Sequence, residues 1–419
     1  MPLIAMAKIL IASLVDPVTH PGGAGTYTRG IVAALQNGRK GYDVELVAPL
    51  HAPPGSWHRL RQAASLAQSC FSKLPAKALF ARQHEFRVRI RETVRSHRFD
   101  AVVINGSDML WAVDELPPEM PTVLIAHNLE HQLLAQQQTS YRFLSPILKR
   151  EITKQRHYEI EGFHRAAGVI FVSATEMAWS IARVPGLRAL HVPPLFTIHP
   201  VPRHHQSRDQ LRLGYLADFA WWPNRRNWLW LIDEVLPKVR RSLQVHVFGR
   251  QSEQIPLRDR VVCHGVVHDL ATVWDQVDIM VCPTRAGAGV NIKVAESLYN
   301  RMPVLATPQA VRGFARVSGP GLVVIDKAKD WAAFLNSSEA DQLATQVPSE
   351  ELRGQFAVNR HAENLKRFIC DTVLDSALHC SRFGLPPPPE MSWSRLDSDG
   401  LPTANGSPAR MGEPHEFSP

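Results

Sequence analysis

The sequence predicts an α/β protein made of two Rossmann-like domains, each built on a parallel sheet. Short apolar runs alternate with amphipathic helical stretches along most of the chain, and glycine loops follow strands in both halves. The 419 residues are too many for one ordinary domain and suit two. We predict a first domain over residues 1–195, a linker over 196–210, a second domain over 211–383 and a disordered tail over 384–419.

The first domain opens with a predicted strand at 8–13, a loop containing Gly22 and Gly23, and a helix at 26–36. A glycine loop between a strand and a helix is typical of dinucleotide-binding domains, but the spacing here is not G-x-G-x-x-G. The second strand, at 43–48, also ends without an acidic residue that could hold a ribose. The sequence therefore argues against an NAD site.

A basic helical segment at 56–98 follows, in which Arg and Lys outnumber Glu. It is either a solvated helix face or a surface for an anionic acceptor or a membrane. The whole chain has a net charge of +8 and a pI of about 9.4. It lacks the interleaved basic and aromatic residues of a nucleic-acid-binding motif, so we predict no nucleic-acid partner.

Further apolar runs complete the first domain, and each precedes polar residues where a site can form. His127 comes directly after one of these runs, and a long helix is predicted at 146–164. The strands are predicted at 100–104, 122–126, 168–172 and 191–194.

The second domain repeats the alternation of strands and helices. Its first strand leads through Trp222, Pro223 and Asn224 into a helix, and its second strand ends at Gly249 and Arg250. Strands are predicted at 211–216, 244–248, 261–265, 278–282, 302–306 and 321–325, and later helices at 270–276, 290–300, 328–335 and 363–383.

Residues 283–307 form the segment where we predict a ligand site. A glycine loop with Gly287 and Gly289 joins a buried strand to a helix, the layout in which a helix N-terminus holds a phosphate group. Lys293 and Glu296 lie three positions apart and so share one face of this helix. They are either a cation for a diphosphate and a carboxylate for ribose hydroxyls, or a solvated ion pair.

The same segment resembles the donor-binding segment of the retaining family 4 glycosyltransferases, enzymes of the GT-B fold. Arg285 and Lys293 match a branch of that family with Arg before the loop and Lys in the helix. Ala288 is a departure, since many members have a glutamate there, often discussed as contacting the transferred sugar. The matching residues of the general pattern are Pro283, Thr284, Gly287, Gly289, Glu296, Pro303, Val304, Ala306 and Thr307.

The resemblance implies transfer of a sugar from a nucleotide-sugar donor, with UDP- or GDP-sugars expected, and with retention of configuration. Arg285 and Lys293 would neutralise the leaving diphosphate, and Glu296 would hold the ribose. His127 would lie beside the transferred sugar. The sequence shows no metal-ligand cluster, so we expect no metal. The residues assigned to the donor are Gly22, Gly23, Gly249, Arg250, Gly287, Gly289, Lys293 and Glu296.

The resemblance leaves the acceptor open among a glycan, a lipid-linked group and a small molecule. Two other functions share the nucleotide site: a GT-B nucleotide-sugar epimerase or hydrolase, and a non-catalytic nucleotide-sugar-binding protein. The five cysteines are scattered without CxxC spacing, which favours reduced thiols and a cytoplasmic protein, at most peripheral on a membrane. The helix at 363–383 is expected to cross back to the first domain, as in GT-B enzymes.

We predict that the tail is dispensable. It is rich in proline, serine, glycine and polar residues, a composition that buries too little apolar surface to fold. A chain ending at Leu385 should therefore unfold at the same temperature as the full chain and bind the same nucleotides. A large loss of melting temperature after truncation would contradict this.

Overall fold

The computed structural model describes most of the chain between Ala7 and Val373. The predicted tail at 384–419 and nearly all of the predicted linker at 196–210 lie outside the described residues. The described residues are 7–373, except for 21, 39–40, 51–54, 119, 139–144, 198–209, 256–257 and 268.

Six parallel strands form the first sheet, in the order β2-β1-β3-β4-β5-β6. The central strands β3 and β4 are buried along their whole length, as expected for near-continuous apolar runs in a parallel sheet. The strands are β1 (Lys8–Ser13), β2 (Asp43–Val47), β3 (Ala101–Asn105), β4 (Thr122–Ala126), β5 (Gly168–Phe171) and β6 (Ala189–His191).

Six parallel strands also form the second sheet, in the order β12-β11-β10-β7-β8-β9. They are β7 (Leu211–Leu216), β8 (Leu243–Phe248), β9 (Val261–Gly265), β10 (Ile279–Cys282), β11 (Val304–Ala306) and β12 (Leu322–Val324). The predicted α/β fold with two parallel sheets is confirmed. Each sheet has a point where the strand order reverses, between β1 and β3 and between β7 and β10. Such points are where open α/β sheets bind ligands.

Helices connect the strands in both domains. Those of the first domain are α1 (Gly23–Gln36), α2 (Gly55–Ser69), α3 (Ala76–Ala81), α4 (His84–Ser96), α5 (Glu130–Gln138), α6 (Ser145–Arg165) and α7 (Ala174–Ile181). Those that follow are α8 (Trp222–Leu229), α9 (Ala271–Gln276), α10 (Ile292–Tyr299), α11 (Ala328–Asn336), α12 (Ser338–Thr345), α13 (Glu350–Gly354) and α14 (Val358–Val373).

Several elements are not predicted by the sequence patterns. A 3₁₀ helix at Ser107–Glu115 follows β3, and α8 continues into a π-helical turn at Trp230–Val235. The short helices α12 and α13 lie in a stretch that has no assignment from sequence. Such short or irregular turns carry too few residues for a periodic apolar pattern.

The last helix, α14, packs on the first domain. Its apolar positions Val358, Ala362, Leu365 and Ile369 repeat every three or four residues and are buried in the same core as α1 and β1. Tyr42 donates a hydrogen bond from its hydroxyl to the Lys366 carbonyl, at 3.0 Å. The chain therefore returns to the first domain after completing the second.

The two places where the chain passes between the domains lie side by side. Phe196, after β6, donates its backbone N–H to the Phe356 carbonyl at 2.9 Å. Val358, at the start of α14, donates to the Phe196 carbonyl at 3.3 Å. The outgoing and returning segments thus hydrogen-bond to each other.

The basic segment folds as α2, α3 and α4, and part of its charge is used inside the domain. Glu115 has a side chain only 3% exposed; it accepts a hydrogen bond from Arg87 at 2.5 Å and forms an ion pair with Arg91 at 3.3 Å. Arg89 donates to the Ala48 carbonyl. These arginines therefore contribute to folding, whichever interpretation of the segment holds.

Three cysteines, Cys70, Cys263 and Cys282, are free thiols, as predicted. The prediction of reduced cysteines is wrong for Cys370, which is disulfide-bonded. Pairing depends on distance in three dimensions, which spacing along the chain does not fix. Among the described helices, none combines the length and the apolar character needed to cross a bilayer.

Candidate functional site

Lys293 lies on the first turn of α10, just after the glycine loop at 283–289. Its ammonium donates to the Asn224 side-chain oxygen at 3.1 Å and lies 5.3 Å from the centre of the Tyr215 ring. Burial lowers the pKa of Lys293, although Cys282 and Asp218 oppose the shift. No carboxylate of the described chain lies within ion-pair distance of this ammonium. A partly buried cation with a single neutral acceptor among the described residues indicates a place for an anion.

Glu296 lies one turn further along α10. Burial raises the pKa of its carboxyl group to about 7, with Arg29 opposing the shift. Within the described part of the chain its carboxylate has no hydrogen bond and no ion pair, not even with Lys293. The structure therefore does not support the interpretation of Lys293 and Glu296 as a simple surface pair.

Asparagines of α8 position both the lysine and the glycine loop. Asn224 donates from its side chain to the Asp218 carbonyl at 2.8 Å, which orients its oxygen toward Lys293. Asn227 accepts from the backbone N–H groups of Arg285 and Ala286 at 2.8 and 3.2 Å. Sequence reasoning noted Asn224 only as part of a motif and missed the role of Asn227.

Arg285 has partners of its own in the second domain. Its guanidinium bonds to the Asp326 carboxylate and carbonyl and lies 5.4 Å from the centre of the Trp230 ring. Arg285 and Lys293 share no partner among the described residues. A joint role of these two cations stays a prediction.

Arg250 lies after β8 and pairs with Asp218, which follows β7. Its Nε donates to the Asp218 carboxylate at 3.2 Å, and its Nη2 bonds to the other oxygen. Gly249 before it has a φ of +120°, and a Cβ there would lie 2.0 Å from the Ala217 carbonyl oxygen. Only glycine fits at this position. The close approach of the Gly249 backbone to Ala217 brings Arg250 next to the end of β7.

The loop with Gly22 and Gly23 approaches α10 from the first domain. A Cβ at Gly23 would lie 3.1 Å from the side chain of Ile292, the first residue of α10. Burial and the nearby Arg250 lower the pKa of His20, while Asp218 raises it. The structure thus brings this predicted loop to the same place as Lys293 and Arg250.

His127 lies at the strand-order reversal of the first sheet, where Ser13 and Asn105 end β1 and β3. The Asn105 side-chain amide donates to Ser13 at 3.0 Å and to Thr28 at 2.8 Å, so its oxygen accepts from His127 Nε2 at 2.7 Å. Burial lowers the pKa of His127 to about 4. The ring is therefore neutral at pH 7, with Nδ1 as an acceptor.

The glycine loop contacts the first domain directly. Gly287 and Gln136 exchange two hydrogen bonds, at 2.9 and 3.1 Å, and the Gly289 N–H donates to the Glu176 carboxylate at 2.8 Å. Sequence reasoning did not assign Gln136 or Glu176 to the site. The one signal is that Glu176 comes three residues after Ser173, the N-cap of α7.

A group of ionisable side chains surrounds the start of α5, and its carboxylates are buried. Glu159 accepts from the Glu130 backbone N–H and from His131 Nδ1, both at 2.6 Å, and Lys77 pairs with Glu130. Burial raises the pKa of Glu159 to about 8, and Glu130 adds to the shift. This carboxylate satisfies the N-terminus of α5, a structural role. In the described residues, no group of three or more His, Cys, Asp or Glu is arranged to hold a metal ion.

Two family models match the chain, one in each domain. Residues 21–185 match the model described as Glycosyltransferase Family 4, and residues 210–340 match the model described as Glycosyl transferases group 1. No curated protein gives a significant match.

Solved structures with a similar fold cover 88% of this chain. The sucrose-phosphate synthase of Thermosynechococcus elongatus has a TM-score of 0.65 at 15% identity, with 100% of that chain covered. HepE of Anabaena, solved with UDP and glucose, has a TM-score of 0.56 at 15% identity and 100% coverage. A glycosyltransferase of Rickettsia africae has a TM-score of 0.50 at 10% identity and 99% coverage. The chain has the architecture of a GT-B glycosyltransferase.

In this GT-B chain the polar groups lie at the two strand-order reversals and on the elements that follow them. The second sheet supplies Lys293 and Glu296 from α10, and Arg250 from beyond β8. The first sheet supplies His127 and the glycine loop before α1. The arrangement offers cations, a helix N-terminus and an unpaired carboxylate, which are the groups that a nucleoside diphosphate requires.

We expect Glu296→Gln to stabilise the protein at pH 8 and not at pH 5. The folded-state pKa is raised to about 7 by burial, so stability falls as pH rises from the unfolded-state pKa of about 4.5 through 7. Removing the ionisable group should remove that loss, a gain on the order of 1–3 kcal/mol at pH 8. Urea unfolding at both pH values measures it. The exposed Glu234→Gln is the control, and an equal effect of Glu296→Gln at both pH values would contradict the burial argument.

Proposed function

We propose that the protein transfers a sugar from a nucleotide-sugar donor to an acceptor, with retention of configuration and without a metal ion. The observation that carries the proposal is the partly buried Lys293 ammonium, which has a neutral acceptor and no carboxylate partner among the described residues. A donor diphosphate would supply the missing negative charge. The HepE structure contains UDP and glucose, so UDP is the nucleotide to test first and GDP the second.

The residues of the second domain would act on the nucleotide. The Lys293 ammonium and the first two N–H groups of α10, those of Ile292 and Lys293, would stabilise the diphosphate as it leaves and gains charge. The N-cap Asn291 makes no side-chain bond to these two N–H groups, and its carbonyl accepts from the Val294 N–H at 3.0 Å, so Ile292 and Lys293 supply the N–H groups for a ligand. Arg250 would contribute a second positive charge, moderated by Asp218.

Glu296 would bind the ribose through its unpaired carboxylate. Two hydroxyl groups can donate to one carboxylate, and such charge-assisted bonds favour the ionised form. Donor binding would therefore lower the raised pKa of Glu296. His127, neutral and held by Asn105, would accept a hydrogen bond at Nδ1 from a hydroxyl of the transferred sugar.

A non-catalytic nucleotide-sugar-binding protein is the second candidate function. Ala288 favours it, because the loop there lacks the glutamate of the family pattern that the sequence otherwise resembles. Both candidates use Lys293 and Glu296 in the same way. They differ only in turnover.

Binding variants test the nucleotide site. Glu296→Gln should weaken UDP and uridine by similar factors of more than tenfold, because it removes charge-assisted bonds of about 1.5–3 kcal/mol. Lys293→Met should weaken UDP much more than uridine, since only UDP has phosphates. Calorimetric titration measures both. The matched controls are Glu234→Gln and Lys238→Met, an exposed i, i+4 pair of the second domain. Unchanged UDP affinity in Glu296→Gln would refute the site.

Turnover separates the candidate functions. Wild-type protein is incubated with UDP-, GDP- and ADP-sugars, with and without an acceptor mixture, and with EDTA. We expect release of the nucleoside diphosphate that persists in EDTA, because Lys293 and α10 take the role of a cation. Activity abolished by EDTA and restored by Mg²⁺ or Mn²⁺ would overturn metal independence. Tight binding with no turnover of any donor would favour the non-catalytic protein.

A further inference from the structure

Both glycines of the loop at 283–289 are held by side chains of the other domain. Gln136 on α5 accepts from the Gly287 N–H at 2.9 Å and donates to the Gly287 carbonyl at 3.1 Å. Glu176 on α7 accepts from the Gly289 N–H at 2.8 Å. The backbone N–H groups of a glycine loop normally face a ligand. In this loop the N–H groups of Gly287 and Gly289 donate to protein side chains instead.

Glu176 makes this contact from a buried position. It is 1% exposed, and the oxygen that accepts from Gly289 also accepts from Arg312 at 3.0 Å. Its other oxygen has no hydrogen-bond partner among the described residues. Burial raises the pKa of Glu176 to about 7, with Arg312 opposing and the carboxylates of Glu130 and Glu159 adding to the shift. A buried carboxylate that is only half satisfied costs stability, as is common at functional sites.

The start of α7 contacts the second domain at a further point. Ser173, its N-cap, lies so close to Gly313 that a Cβ there would be 2.6 Å from the Ser173 hydroxyl. Gly313 adjoins Arg312, the partner of Glu176. One helix N-terminus therefore touches both the glycine loop and the loop after β11.

Ala288 lies between the two held glycines. A Cβ at Gly289 would lie 2.1 Å from the Asn128 side-chain oxygen and 2.6 Å from the His127 carbonyl, so the loop and the His127 region are in direct contact. The position of Ala288 is thus fixed from the first domain on both sides. Its methyl group cannot itself bond to a sugar or to the loop.

We infer that Gln136 and Glu176 are positioning residues that fix the glycine loop around Ala288 when the two domains are in contact. The inference rests on the proposed function. The related sequence pattern has a glutamate within the loop, at the position of Ala288. In this protein a carboxylate reaches the loop from the other domain, on Glu176, and anchors it. Lys293 and Glu296, the groups proposed to bind the nucleotide, make no hydrogen bond to Gln136 or Glu176 among the described residues. Loss of the anchors should therefore affect the transfer step and leave nucleotide binding intact.

The test uses Glu176→Ala, Glu176→Gln and Gln136→Ala in the full chain. The glutamine variant keeps an acceptor for the Gly289 N–H and loses the charge toward Arg312. The matched control is Glu115→Gln, which also removes a buried carboxylate from arginine partners in the first domain, without contact to the glycine loop. Three quantities are measured: hydrogen exchange of the 283–291 peptide, the Kd of UDP, and kcat with UDP-glucose or the donor that the wild type turns over.

We expect the loop amides to exchange at least about tenfold faster in Glu176→Ala and Gln136→Ala, with Glu176→Gln intermediate and Glu115→Gln unchanged. The kcat should fall in the same order, by about 10- to 100-fold for Glu176→Ala, because a misplaced group can cost this much. The Kd of UDP should stay within about threefold of the wild type, whereas removal of a direct contact costs more than tenfold.

Unchanged loop exchange in Glu176→Ala would overturn the inference, as would fast exchange with an unchanged kcat. A kcat loss in Glu115→Gln equal to that in Glu176→Gln would show general destabilisation and overturn it too. If the wild type turns over no nucleotide sugar, the proposed function has failed. The exchange result then still decides whether Gln136 and Glu176 hold the loop.

Discussion

A partly buried ammonium group without a charged partner is the constraint on which the candidate site of the second domain depends. Asn224 donates its side-chain N–H to the Asp218 carbonyl, and this bond turns its side-chain oxygen toward the Lys293 ammonium. The aromatic face of Tyr215 adds a weaker attraction for the cation. The N-terminus of α10 carries partial positive charge and repels the same ammonium. Under the proposed function, a diphosphate would supply the missing charge partner of Lys293 and would offset this repulsion.

Groups of opposite charge in the candidate site are kept apart instead of neutralising one another. Lys293 and Glu296 stand one turn apart and form no ion pair, and both have pKa values shifted toward their neutral forms by burial. On the other side, Glu176 is likewise buried with a raised pKa. Unpaired charges lower stability in the free protein and strengthen the binding of a ligand that matches them.

The sequence was sufficient for the fold and for the position of Lys293 and Glu296. Parallel strands buried on both faces leave near-continuous apolar runs, and the glycine loop between β10 and α10 is local in sequence. The sequence did not predict contacts between residues that lie far apart along the chain. Arg285 donates a hydrogen bond to Asp326, 41 residues later in the chain. Gly287 donates one to Gln136, 151 residues earlier. No local pattern encodes such partners, because they depend on how elements far apart along the chain pack against each other.

The return of α14 to the first domain has a consequence for the order of folding during synthesis. The apolar face formed by α1 and the first sheet is covered by Leu365 and its neighbours, which leave the ribosome after the whole second domain has been made. Until then Ile31 and Leu35 lack that covering helix. The core of the amino-terminal domain is therefore completed last. A nascent chain stopped before residue 358 exposes an apolar surface of the kind that chaperones bind.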